Sequence, residues 1–249
     1  MVALNHDLGR GSSSLTDRIC DLLREQIISF ELKPFHAISD KKLAEQIGVS
    51  RTPVREALAR LASQRLIDIY PQRGTVVSPL RRVDLERSQF IREVLEVGLV
   101  QRVAALESRG ELIRKLRTEV ALQETFGELG DDGRLYSSDE DFHRLIATYA
   151  GLPGIWEDIA QSKLHMDRCR HLTLATVEKD IRIITDQHNA IIDAIEQGDP
   201  KSAADAMRFH LRRILKFIDQ LVEIHPEYFD SASEARSAMK ADAHVARTG

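Results

Sequence analysis

Apolar residues at Ile19, Leu22, Leu23 and Ile27 recur at helical spacing after Ser14 and Thr16, either of which can cap a helix, so the pattern predicts a helix from Leu15 that ends near Phe30, ahead of Pro34. The same spacing returns at Leu43, Ala44 and Ile47. Ser39 or Asp40 can cap that segment, and Gly48 stands where the chain must turn, which predicts a short helix over 40–47. Ser50 then reads as an N-cap whose side chain would accept orphan amide hydrogens, and Pro53 falls in the first turn, where its missing N–H costs nothing. A second helix therefore starts near Arg51, with Val54, Ala57, Leu58 and Leu61 facing inward. Next the period shortens: 66–70 and 75–77 are β-branched runs separated by Pro71-Gln72-Arg73-Gly74, which has turn chemistry. From residue 82 the strand signal fades, and helices are predicted at 83–107, 111–129, 134–150, 155–174, 177–197 and 200–224, with breaks at glycines and at Pro153 and Pro200.

This succession implies a mainly α protein: an N-terminal winged helix-turn-helix over 15–79, then an antiparallel all-α bundle of about six helices over 80–230. The ends, 1–14 and 231–249, are small and polar and read as disordered tails. A chain of 249 residues, 43% hydrophobic and 30% charged, has room for two such domains. Its net charge of −4 is unevenly spread. Residues 1–80 carry 11 Lys and Arg against 9 Asp and Glu, a balance of +2, and the remainder carries 24 against 30, a balance of −6. A locally basic head on an acidic body suits a protein that touches a polyanion at one end only. No apolar run is long enough to span a bilayer and no secretory leader is visible, so the expected location is the cytoplasm, with no membrane partner. Cys20 and Cys169 have no paired spacing and are expected to be reduced structural thiols.

The second helix of the winged unit leaves Arg51, Thr52 and Arg55 exposed together at its leading end, as a recognition helix presents its tip to a major groove. Arginine forks match guanine O6 and N7, Ser50 and Thr52 can take phosphates or bases, and Arg73 at the wing tip can reach the backbone or a minor groove. The plainer alternative is a solvated face with ion pairs to Glu45 or Glu56. The run Leu43-Ala44-Glu45-Gln46-Ile47-Gly48-Val49-Ser50-Arg51-Thr52-Pro53-Val54-Arg55-Glu56-Ala57-Leu58, followed by Leu61 and Arg73-Gly74-Thr75-Val76-Val77, resembles the winged-helix domain of GntR-family bacterial transcription regulators. The resemblance implies that Lys41, Ser50, Arg51, Thr52, Arg55, Arg73 and Gly74 occupy DNA-contacting positions. The chain departs from the family at one turn, where Phe30-Glu31 stands for a usual Gly and Pro34-Phe35 for Pro-Gly.

In the second half, Asp139 and His143 are four residues apart and project from one helix face, His188 lies on a stripe with Ile184, Ile191, Ile192 and Ile195, and His210 is central in the last predicted helix. Three imidazoles and a carboxylate form a suitable donor set for a divalent ion, zinc first, with nickel or manganese as alternatives. Hydrogen-bonded core histidines and a helix-surface pair would give the same pattern. Asp141-Phe142-His143-Arg144-Leu145, Gln187-His188-Asn189-Ala190-Ile191-Ile192-Asp193-Ala194-Ile195 and His210-Leu211, with Arg92, Glu96 and Pro226-Glu227-Tyr228-Phe229, resemble the FCD ligand-binding domain of the FadR branch of GntR regulators. That resemblance implies metal ligands at Asp139, His143, His188 and His210 and a small carboxylate effector. Arg92 is the first candidate to bind the carboxylate, although it could equally pair with Glu96; Arg168 or Arg170 is the second, with His165 and Gln187 as polar contacts. The function expected is a ligand-responsive, non-enzymatic regulator that binds a pseudo-palindromic operator as a homodimer. A metalloenzyme built on the three-histidine, one-aspartate centre is the alternative, and a protein-interaction module is a third reading.

Overall fold

The structure is a computed structural model that describes residues 14–72, 74–176 and 181–230. It divides after Val83 into two compact units, and the chain from His225 onward rejoins the first. The sequence pattern had assigned that closing segment to the helical domain.

In the first unit, helix α1 (Leu15–Ile28) opens on a capping box, Ser14 accepting from the Asp17 amide while Asp17 accepts from that of Ser14. Its inner face is Ile19, Cys20, Leu23 and Ile27. Strand β1 (Ala37–Ile38) was not expected, because two residues have no period of their own; it exists through pairing with a distant strand. Helix α2 (Asp40–Ile47) is capped by Ser39, which accepts from the Lys42 amide, and ends on Gly48 at φ 77°. Helix α3 (Arg51–Ser63) buries Val54, Ala57, Leu58 and Leu61 as the spacing predicts. Its cap differs: Ser50 has the extended N-cap backbone, but its side chain makes no capping hydrogen bond. Strands β2 (Ile67–Tyr70) and β3 (Gly74–Val77) form the antiparallel wing, with Ile67 opposite Val77 and Tyr70 opposite Gly74, and β1 adds to the far side of β3.

Two residues hold the α1–α2 connection in an unusual way. Phe30 and Phe35 have left-handed backbones, φ 62° and 64°, at the turn where the sequence departs from the pattern it resembles by lacking glycines. A side chain there costs roughly 1–2 kcal/mol. Phe30 recovers part of this by packing on Tyr228, ring centroids 5.4 Å apart. The segment carrying Tyr228 is fixed in turn by a parallel bridge to Leu80: the Leu80 amide donates to Tyr228 O at 2.8 Å and the Asp230 amide to Leu80 O at 3.0 Å. Arg81 ties Asp230 to Asp68 of the wing.

The second unit is all helix among its described residues: α4 (Arg82–Ala104), α5 (Gly110–Glu128), α6 (Asp132–Tyr149), α7 (Ile155–Ser162), α8 (Leu164–Thr176), α9 (Arg182–Gln197), α10 (Pro200–Leu211) and α11 (Leu215–Ile224). The bundle thus has more pieces than the six expected. The segment predicted over 155–174 breaks at Lys163, whose buried amine is held by Glu140 and Asp167 at 2.7 Å each. The one predicted over 200–224 is interrupted by a 3₁₀ turn, Arg212–Ile214. Of the helix predicted from 177, residues 177–180 lie outside the described residues. Val100, Val103, Leu112, Leu116, Phe142, Ile146, Ile191, Ile195 and Met207 make the core, so α4, α5, α6, α9 and α10 are packed by one apolar cluster.

Candidate metal centre and nucleic-acid interface

Arg51 and Arg55 stand at the leading end of α3 with side chains 51% and 64% exposed. Neither pairs with Glu45 or Glu56. Both instead reach Asp40 at the start of α2: Arg51 Nη2 donates to its two oxygens at 3.0 and 2.8 Å, and Arg55 Nε to Oδ2 at 2.7 Å. Those two guanidiniums hold the Asp40 carboxyl down at about 2. Thr52 and Ser50 are exposed beside them, and Lys41 is exposed with its amine 3.9 Å from Glu45. Gly74 opens β3 at φ 107°, a backbone that favours glycine, so the wing tip depends on it. Arg73 lies outside the described residues.

The four metal candidates converge. Asp139 and His143 from α6, His188 from α9 and His210 from α10 are buried, and one ligand atom from each lies within 4.8 Å of all the others. His210 Nε2 is 3.3 Å from both His188 Nε2 and His143 Nε2, while Asp139 approaches His188 at 3.6 Å and His143 at 3.9 Å. The outer ring nitrogens explain why these three point inward. His188 Nδ1 donates to Gln123 Oε1 at 2.8 Å, His210 Nδ1 to Gln187 Oε1 at 3.1 Å, and His143 Nδ1 lies 2.5 Å from Glu96 Oε2. Gln123 is itself oriented, because its amide donates to Ser138 O at 3.3 Å. Protons held on the outer nitrogens of His188 and His210 by these hydrogen bonds, and on that of His143 by the carboxylate beside it, a contact outside hydrogen-bond geometry, leave lone pairs on the Nε2 atoms facing one another.

That arrangement fits a divalent cation. Lone pairs 3.3 Å apart gain nothing from each other, and Asp139 Oδ2 is buried without a hydrogen-bond partner. Electrostatics agree with the geometry. Burial, which at His188 outweighs the opposing pull of Asp139, together with nearby positive charge pushes His188 down to about 3 and His210 well below its usual value, so both rings are neutral at ordinary pH. Burial alone would raise Asp139, but the positive charge of Arg170, which donates to Oδ1 at 2.6 Å, and of Arg92 acts against it, and the carboxyl lies below its usual value.

Beside the quartet lies a cavity of about 20 Å³ lined by Arg92, Arg170, Arg213, Ile184 and His210. Arg92 is buried with Nε on Glu96 at 2.5 Å and Nη2 without a partner, so both readings of this residue meet in one side chain. Of the two further arginines considered, Arg170 lines the cavity; Arg168, fully buried, does not. Gln187 serves His210 rather than the cavity wall, and His165 is buried but does not line the cavity. Sequence reasoning missed Gln123 and Arg213. Gln123 continues the inner face of α5 after Leu116 and Val120 at helical spacing, so a buried polar residue was readable there; Arg213 gave no signal.

A winged helix-turn-helix with arginines at the tip of its second helix, joined to an all-helical domain with a buried polar centre, defines a helix-turn-helix transcription regulator. Residues 15–77 match the family described as bacterial regulatory proteins, gntR family, and residues 89–213 match the FCD domain. The chain belongs to the GntR family. It is 35% identical, over 83% of its length and 86% of the relative's, to an HTH-type transcriptional regulator in an unstable DNA locus of Streptomyces ambofaciens. It is 27% identical, over 86% and 93%, to the HTH-type transcriptional repressor RspR of Escherichia coli K12. Among solved structures, E. coli McbR/YncC superposes with a TM-score of 0.70 at 23% identity, covering 84% of this chain and 98% of that one, which is a likeness of fold.

Proposed function

We propose that this regulator binds a pseudo-palindromic operator as a homodimer and that a small carboxylate, bound next to a divalent ion in the helical domain, controls its affinity for DNA. The carrying observation is the buried quartet Asp139, His143, His188 and His210 abutting a cavity lined by arginines. On the DNA side, Arg51 and Arg55 read base edges, Ser50, Thr52 and Lys41 position the helix on phosphates, and Arg73 with Gly74 serves the wing. A two-fold dimer matches two such helices to two half-sites. Repression is the direction favoured, since the relative RspR is named a repressor.

On the ligand side, the quartet would hold zinc, with nickel or manganese as alternatives, and a bound ion would supply a Lewis-acidic position for a carboxylate oxygen. Arg92 offers its unpaired Nη2 to the same ligand and Arg170 a second cation. Binding that favours one arrangement of the helices biases the DNA-competent population by its differential affinity. The head is joined to the helical unit twice along the chain, after Val83 and again before His225. A metalloenzyme built on the same centre would leave the arginine tip of α3 without a role.

The experiment is a titration of operator duplex in the presence of zinc and a panel of organic acids. Specific binding that weakens steeply with salt and shifts at least tenfold with one acid supports the reading. Specific binding that no acid alters removes ligand control, and turnover without specific binding favours the enzyme.

A further inference from the structure

Glu96 occupies a position shared by two sites. It is 3% exposed on α4, one turn beyond Arg92, and its two oxygens face different partners: Oε1 accepts from Arg92 Nε at 2.5 Å, and Oε2 lies 2.5 Å from His143 Nδ1. Arg92 donates a hydrogen bond, while His143 Nδ1 approaches as a close ion-pair contact outside hydrogen-bond geometry, so a group with two oxygens serves both sides. The other two histidines of the quartet rest on the neutral amides of Gln123 and Gln187. His143 is therefore the one of the three turned by a full negative charge, and a carboxylate behind an imidazole makes it a stronger donor to a metal. On its far side Glu96 fixes Arg92, whose remaining Nη2 is buried without a partner in a residue that lines the cavity.

We propose that Glu96 is a positioning residue that couples the anion cavity to the histidine centre, orienting His143 toward the bound ion while holding Arg92 toward the ligand. The inference rests on the metal and carboxylate reading given above and adds a route between the two ligands. An anion that engages Arg92 takes up part of the guanidinium's charge and leaves more of the Glu96 charge to His143. Occupancy of the cavity and of the metal centre therefore reinforce each other through one carboxylate, as linkage requires of any such coupling.

The test is zinc affinity of the full chain, by competition with a chromogenic chelator, for the wild type, Glu96→Gln and Glu93→Gln. A glutamine at 96 keeps the shape but accepts from only one of the two donors, so zinc binding should weaken about 10- to 100-fold. Glu93 lies on the same helix and pairs with the solvent-exposed Arg212 and Arg208, so its variant should stay within about twofold of wild type. Glu96→Gln binding zinc as the wild type does overturns the coupling role and leaves the metal centre standing. A wild type that takes up no zinc overturns both. Should Glu96→Gln fail to fold, the zinc-loaded wild type supplies the second measurement: in histidine-labelled protein, one Nδ1 proton, that facing a carboxylate, should resonate clearly downfield of the two that face amides. Three equivalent Nδ1 protons would overturn the proposal.

Discussion

Asp40 holds Arg51 and Arg55 together: its carboxylate accepts from both guanidiniums at 2.7–3.0 Å, across the turn between α2 and α3. These exposed pairs contribute little to stability. On the proposed reading their consequence is for binding, because a guanidinium engaged with Asp40 would have to release or share that partner before it forks onto a guanine. Replacing Arg51 or Arg55 by Ala should cost about 1–3 kcal/mol of operator affinity each and relax discrimination at the contacted base. Asp40→Asn should act in the opposite direction on general affinity, strengthening binding to unrelated duplex by removing an anion from the interface, with a smaller gap between operator and random DNA. Fluorescence anisotropy against both duplexes at several salt concentrations reads all three. Weaker binding of Asp40→Asn to both would mean that Asp40 aligns the arginines rather than competing for them.

Phe35 combines a left-handed backbone with 53% exposure. Its side chain has little packing to lose, and glycine adopts φ 64° without steric cost, though at greater entropy loss on folding. Phe35→Gly should therefore stabilise the winged unit by roughly 0.5–1 kcal/mol. Phe30→Gly should not, since it also removes the ring packed on Tyr228. Thermal unfolding of the two variants side by side separates backbone strain from packing, and destabilisation by Phe35→Gly would contradict this account.

What could be read from the sequence follows from how local each signal is. Helices α2 and α3 were legible because Gly48, Pro53 and the apolar set Val54, Ala57, Leu58 and Leu61 act within a few residues of themselves. Strand β1 was not, since Ala37 and Ile38 become a strand only against Val76 and Thr75. The break at Lys163 carries no Gly or Pro, and the amine of that residue is held by Glu140, more than twenty residues away, together with Asp167. In the same way the pattern named Asp139, His143, His188 and His210 as candidates, but the meeting of their ligand atoms within 4.8 Å is set by how three helices pack, which periodicity does not encode. Arg168 and Arg170 are two residues apart on one helix, and only the packing shows which of them lines the cavity.

Phe229 is 7% exposed and bridges to Leu80, which is fully buried. The segment that follows α11 is thus part of the winged unit's own core and not a trailing end. Phe229→Ala should destabilise that unit by about 3–5 kcal/mol, the range for emptying an aromatic site. Because Leu80 and Asp230 would keep their backbone bonds, the fold should persist at low temperature. Denaturant unfolding followed by hydrogen exchange at Leu80 and in β3 would locate the loss; a change under about 1 kcal/mol would show that the bridge is held by its backbone alone.

Acid should weaken the metal-free protein through the same rings that make it a candidate metal protein. Burial holds His188 at about 3 and His210 well below its ordinary value, so both are neutral when folded, whereas in the unfolded chain they titrate near pH 6.5. A basic group with a depressed folded value favours folding above its unfolded value, and that contribution is lost as the pH falls, because the unfolded chain binds protons that the folded one refuses. The slope is up to about 1.4 kcal/mol per pH unit for each histidine below pH 6.5. Chelator-treated protein should accordingly lose thermal stability steadily between pH 6.5 and 5. His188→Gln and His210→Gln, which have no proton to take up in this range, should each flatten the curve by about one histidine's share. Added zinc should raise the midpoint at pH 7.5 by mass action and lose that effect in acid, since the ion and the proton compete for the same Nε2 atoms. A stability profile that is flat from pH 7.5 to 5, or that rises toward acid, would mean that the rings are solvated enough to charge in place, and a quartet open to water in that way is not a closed ligand set.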